Sequence, residues 1–263
     1  MTTGAANLIW TDPLVRTDRF EFGRDHSKDS DLARLVDLAK PNKKEKALDL
    51  VTGLGYTAIA IAPHVAEVDA IDPDGELLEQ AKKFAKEAGI RNINFIEGDP
   101  YAIPAKERHY NLVIARMAFR HINEPAKCLR EIRRVLKPTG RLILIDILKP
   151  FQPDLASFLG DVQKQRDRSH VQSLNLEEWE NLLDREEFDI NLIEIFPREY
   201  DFETWAGKET RSSEEVRMLG LLLHGASPRA KRYFRITEKE GKPRSFAVWV
   251  IVIRAGLQAS EET

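Results

Sequence analysis

The stretch Asp49-Leu50-Val51-Thr52-Gly53-Leu54-Gly55-Tyr56-Thr57-Ala58 decides the fold. It leaves a short apolar run, Ala47 to Val51, that reads as a buried strand. It enters Thr57 to Ala62, which reads as a short helix stopped by Pro63. Glycines at a strand-to-helix turn let the backbone bend sharply and let a ligand lie against main-chain atoms.

Outward from this turn the pattern alternates. Val65 to Ile71 reads as a second strand. Glu76 to Ala88 reads as an amphipathic helix, with Leu77, Leu78, Ala81, Phe84 and Ala85 on one face and Gly89 placed to end it. Ile93 to Ile96 and Leu112 to Ala115 follow as strands, and Ala126 to Leu136 as a helix. Leu142 to Leu148 is a fifth strand, apolar except for Asp146. Upstream, Leu32, Leu35, Val36 and Leu38 stand at helical spacing. Near-continuous apolar strands separated by helices predict an α/β fold, a doubly wound, mostly parallel sheet covered on both faces.

Past Pro150 and Pro153 the alternation stops. Leu155 to Arg168, Asn175 to Arg185 and Ser213 to His224 read as helices, Asp189 to Phe196 and Phe246 to Ile253 as strands. The last is expected at the sheet edge beside Asp189 to Phe196, which brings the sheet to seven strands. The insertions Phe151–Ser173 and Arg198–Gly241 are candidates for a helical cap. The expected division is an irregular segment at 1–30, a ligand-binding core at 31–150, cap insertions that complete the same domain at 151–255, and a disordered tail at 256–263.

Composition narrows the function classes. Lys plus Arg is 40 and Asp plus Glu is 43, a net charge of −3 without the basic excess of a phosphate-neutralising nucleic-acid binder. Cys128 is the only cysteine, so no intrachain disulfide forms, and no Cys/His cluster has metal-ligand spacing. Met1 to Trp10 lacks the pattern of a secretory leader, and no apolar run reaches the ~20 residues of a membrane span. A cytoplasmic protein is expected, and a homodimer is compatible with it.

Three acids stand at the ends of successive strands. Asp49 lies on the first, Asp72 ends the second before Pro73, and Gly98-Asp99-Pro100 ends the third. Open α/β sheets bind ligands at that edge. Gly53-x-Gly55-x-x-Ala58, with Asp72 about 20 residues on, also fits a dinucleotide fingerprint. A NAD-dependent oxidoreductase is therefore an alternative, although Asp49 beside the turn would repel a pyrophosphate.

The set of acids resembles that of the class I S-adenosylmethionine-dependent methyltransferases. Tyr110-Asn111-Leu112-Val113-Ile114-Ala115-Arg116 with Phe119-Arg120-His121 looks like their fourth-strand segment. Leu129-x-Glu131-x-x-Arg134-Val135-Leu136-Lys137-Pro138-x-Gly140 looks like their next helix and turn. Gln165-Arg166-Asp167-x-Ser169-His170-Val171, Leu176-x-Glu178-Trp179 and Ala226-Ser227-Pro228 are similar to a small-molecule branch related to the ubiquinone/menaquinone-biosynthesis C-methyltransferases. The resemblance implies S-adenosyl-L-methionine as cofactor, a small-molecule acceptor and an antiparallel C-terminal strand. It implies that Asp49, Thr52, Gly53 and Gly55 hold the methionine portion, with Arg116 lining that side. Asp72 and Pro73 would lie at the ribose, and Gly98, Asp99 and Pro100 at the adenine. His121 and Asp146 are the candidates for removing a proton from a phenol or enol acceptor, and Ser169 and His170 for lining its pocket. Two positions depart from the family pattern: Val51 stands where a small residue, often glycine, is usual, and Asn111 where Asp is usual. A non-catalytic protein that keeps the fold is the remaining alternative.

Overall fold

The computed structural model describes residues 7–9, 30–207 and 212–259. In chain order these form β1 (Asn7–Ile9), α1 (Ser30–Ala39), β2 (Lys46–Leu50), α2 (Tyr56–Ile61), β3 (Glu67–Asp72), α3 (Gly75–Glu87), β4 (Ile93–Glu97) and β5 (Tyr110–Arg116). Then come α4 (Pro125–Val135), β6 (Leu136–Ile147), α5 (Pro153–Arg166), α6 (Leu176–Arg185), β7 (Phe188–Asp201), α7 (Phe202–Ala206), α8 (Ser213–His224), α9 (Pro228–Tyr233), β8 (Thr237–Lys239) and β9 (Lys242–Leu257).

The sheet order is β1-β7-β9-β6-β5-β2-β3-β4, with β8 folded back on β9. Strands β2 to β6 are mutually parallel, and β9 is antiparallel to both β6 and β7. From β2 the chain steps outward to β3 and β4, then returns to β5 on the other side. Strand order therefore reverses between β2 and β5, where Asp49 pairs with Ile114. At such a reversal the following helices leave on opposite faces and open a crevice at the carboxyl ends of the strands.

Helices cover both faces of the sheet. One face packs Leu35 of α1, Ala58 and Ile61 of α2, Leu155 and Leu159 of α5, Phe202 and Trp205 of α7, and Leu219 of α8. The other packs Leu129 and Ile132 of α4 with Trp179 and Leu183 of α6. Local signals set the helix starts. Asp74 caps α3 by accepting from the N–H groups of Glu76 and Leu77, and Asn175 with Glu178 forms a capping box on α6.

Four expectations change. The sheet has eight strands along its path rather than seven, because Asn7–Ile9 adds a parallel strand outside β7, and β8 is a further short partner of β9. Phe246 to Ile253 does pair with Asp189 to Phe196, yet it lies inside the sheet between β6 and β7. All eight of these residues are buried, as an apolar strand with cover on both faces requires. Asn7–Ile9 also interrupts the segment expected to be irregular to residue 30, the rest of which, before Ser30, lies outside the described residues. Finally, β9 continues to Leu257, past the expected start of a tail at 256; residues 260–263 lie outside the described residues.

Candidate active site

The turn after β2 is built around two carboxylates. Asp49 is only 1% exposed, and its Oδ2 accepts from the Thr52 hydroxyl and, at 3.0 Å, from the Ala58 N–H at the start of α2. Both bonds fall on Oδ2. Burial pushes the Asp49 carboxyl up to about 7, against the two hydrogen bonds and the Arg116 charge; the neighbouring Asp72 charge adds to the rise. Asp72 is 3% exposed and accepts from Gly53 N–H at 2.8 Å and Asp74 N–H at 2.9 Å. Burial raises its pKa too, and the hydrogen bonds oppose the rise. The main chain ties the loops together: Thr52 N–H donates to Ile71 O at 2.9 Å, and Gly98 N–H to Asp72 O at 3.1 Å.

The two glycines serve different ends. Gly53 has φ +54, and a Cβ there would meet no atom within 4 Å, so its surface is open to a ligand. Gly55 has φ +77, and a Cβ there would sit 3.0 Å from the Ala81 Cβ and 3.3 Å from the Phe95 ring. It is buried against α3 and allows close packing. Gly98 is similarly tight, since a Cβ there would sit 3.0 Å from the Ile71 Cγ2. Val51 adopts φ +55, a conformation hard for a β-branched side chain.

Asp49 and Asp72 thus share one electrostatic neighbourhood, with Arg116 at the end of β5. Asp99 lies apart, exposed on the turn after β4, where it accepts from Tyr101 N–H at 2.8 Å. The Tyr101 hydroxyl accepts from the N–H groups of Asn123 and Glu124 and fastens this turn to the one after β5. Pro100 is buried and Pro73 exposed.

The turn after β5 supplies the other wall. Asp146, 2% exposed, accepts from Arg120 N–H at 3.2 Å and Ile147 N–H at 2.8 Å, with Phe119 N–H adding to the set. Burial pushes it up to about 6, against the Arg120 charge and these bonds. Its carboxylate therefore holds the 119–120 turn in place. His121 lies between this turn and the α5–α6 connection: Arg120 Nε is 3.0 Å from its Nε2, and Ser169 Oγ is 3.0 Å from its Nδ1. Burial and Arg120 lower its pKa, whereas Ser169, Asp167 and Asp72 pull the other way. Ser169 donates to Asp167 at 2.6 Å, and Arg120 lies 3.6 Å from Asp167. Val171 N–H donates to Arg120 O, and Gln172 Nε2 to Ile122 O. His170 is buried beside this cluster. Arg120 and Asp167 were not picked out by sequence reasoning, although both fall inside motifs it had quoted.

Comparison with known proteins bears on the domain and the fold. Residues 47–140 match the methyltransferase domain family. The uncharacterized methyltransferase YcgJ of Bacillus subtilis is 29% identical over 225 residues, 85% of this chain and 89% of that protein. The crystal structure of YcgJ superposes with a TM-score of 0.81 at 28% identity, covering 89% of this chain and 99% of that one. The chain carries a methyltransferase domain over residues 47–140 and shares the doubly wound fold of its class. Within that class it is related to a demethylmenaquinone methyltransferase of Thermotoga maritima, 36% identical over 120 residues, 44% of this chain and 50% of that protein. Among the described residues no helix is long and apolar enough to cross a membrane.

Proposed function

We propose that this methyltransferase binds S-adenosyl-L-methionine across the β2–β5 crevice and methylates a small hydroxylated acceptor, a phenol or an enol. The observation that carries the cofactor half is the pairing of buried Asp49 and Asp72 around the open surface of Gly53. Asp49 keeps Oδ1 for an ammonium group, and a cation there favours the ionised form that burial disfavours. Thr52 and Gly53 supply the adjoining turn, and Arg116 the cationic side. Asp72 retains lone pairs for two ribose hydroxyls, with Pro73 beside it. Gly98, Asp99 and Pro100 form the adenine end, with Asp99 facing solvent. Gly55 supports the turn from beneath.

The cofactor brings an already activated methyl group. The chain's own residues position the acceptor, exclude water and manage its proton. The small-molecule acceptor is supported by the relative named for demethylmenaquinone, and its hydroxyl by the cluster of Arg120 and His121, which can take up and stabilise what a hydroxyl releases. Asp146 acts by holding the turn that carries both. Residues 151–255 serve as cap and sheet completion of one domain, working in the cytoplasm.

Calorimetry with S-adenosylhomocysteine and, separately, NADH tests the cofactor. Heat from the thioether alone is expected, and heat from NADH alone would refute the reading. Transfer of labelled methyl to 1,4-dihydroxynaphthalene, with an aliphatic amine as the control acceptor, tests the acceptor class.

A further inference from the structure

The acceptor side contains a hydrogen-bonded chain whose direction is set by its donors. Arg120 Nε lies 3.0 Å from His121 Nε2. A guanidinium only donates, so Nε2 carries the lone pair and Nδ1 the proton. That proton meets Ser169 Oγ at 3.0 Å, and the Ser169 hydroxyl in turn donates to Asp167 Oδ1 at 2.6 Å.

We propose that Asp167 and Ser169 are positioning residues that hold the His121 proton on Nδ1, so that Nε2 accepts the hydroxyl proton of the acceptor at the place Arg120 Nε holds in this structure. The inference rests on the hydroxylated-acceptor reading above. In the step, the acceptor O–H bond breaks and its proton moves to Nε2. The electron pair stays on the acceptor and forms the new bond to the methyl carbon, while the carbon–sulfur pair leaves with the thioether. The resulting imidazolium is matched by Asp167, whose Oδ2 lies 4.0 Å from Nε2. The Arg120 guanidinium is placed to stabilise the acceptor's oxyanion.

The groups facing His121 are Arg120 on its own turn, Asp167, Ser169 and His170 on the α5–α6 connection, and Asp72 from β3. Asp167 and Asp72 favour the imidazolium, and Arg120 opposes it. Main-chain donation from Val171 to Arg120 O, at 2.8 Å, fastens the connection independently of both side chains. Loss of either side chain therefore leaves the connection seated.

Long-range proton–nitrogen spectra of the imidazoles read tautomer and pKa without turnover. Wild type is expected to carry the Nδ1 proton. Asp167→Ala and Ser169→Ala should each weaken that preference and lower the His121 pKa; the Ser169 carbonyl, 3.3 Å from Nδ1, softens the second change. Ser169→Thr should restore both. With 1,4-dihydroxynaphthalene as acceptor, kcat should fall roughly 10- to 100-fold in both alanine variants, the range for second partners that orient a histidine. The acidic limb of the pH profile should move down with the His121 pKa, at unchanged KM for S-adenosylmethionine. A proton on Nε2 in wild type, an unaltered imidazole in both variants, or an acidic limb that stays in place would overturn the positioning role. No methyl transfer from a wild-type protein that binds S-adenosylhomocysteine would instead overturn the acceptor reading, and the proton-acceptor role with it.

Discussion

An ordinary aspartate titrates near 3.8, whereas burial moves Asp49 to about 7. The sign of the resulting pH dependence follows from proton linkage. The folded protein holds this proton more tightly than the unfolded chain, so the penalty is absent below pH 3.8, grows through the interval to pH 7, and is complete above it. At about 1.4 kcal/mol per pH unit, ionised Asp49 costs the ligand-free fold up to about 4 kcal/mol at pH 8. Asp49→Asn removes the charge and keeps an oxygen for Thr52 and Ala58. The variant should therefore be more stable than wild type by about 1–4 kcal/mol at pH 8, the lower figure allowing for relaxation around a buried charge. Near pH 4 the two should converge. Binding should respond in the opposite sense. Losing a charged acceptor for the cofactor's ammonium removes about 1.5–3 kcal/mol, roughly 10- to 150-fold in Kd. Urea denaturation at the two pH values, with S-adenosylhomocysteine calorimetry at pH 8, measures both effects. An Asp49→Asn variant no more stable than wild type at pH 8, or one that binds the thioether equally well, would refute the reasoning.

Asp72→Ala should weaken S-adenosylhomocysteine binding by about 1–3 kcal/mol, the range for losing hydrogen bonds to a charged acceptor; an unchanged dissociation constant would remove the ribose assignment. Gly53→Ala and Gly55→Ala should separate binding from stability. The first fills open space at a cost of about 1 kcal/mol in stability but impairs binding in calorimetry, and the second destabilises by about 2 kcal/mol or more in urea because its methyl meets Ala81. Val51→Gly should leave stability within about 1 kcal/mol of wild type, since relief of the left-handed valine offsets the lost packing and the added chain entropy; a loss above about 2 kcal/mol in the same titration would argue against strain at this position.

Much of the core was legible because β2, β3, β5 and β6 are buried along most of their length and need cover on both faces, and because α3 and α6 announce their starts with side-chain caps. The Asp74 cap and Gly89 bracket α3 closely. Legibility failed where long-range pairing decides. A three-residue strand such as Asn7–Ile9 has no period to read, and α7 and α9 are too short to show a face. The interior place of β9 was missed although Phe246 to Ile253 is apolar throughout, because antiparallel pairing to two distant strands leaves no local mark. At the site, the strand-end acids were visible as charges in apolar runs. The chain from Asp167 to His121 was not, because its central contact joins residues 48 positions apart.

The interior position of β9 also bears on biogenesis. Among the described strands, β1 and β7 together are joined to the rest of the sheet only through β9. Until Lys242–Leu257 has left the ribosome tunnel, the nascent chain carries β6 as a bare, apolar template and β7 without a seat. Such an edge invites pairing with other polypeptides. Productive maturation is therefore a race between the seating of β9 and capture of that edge.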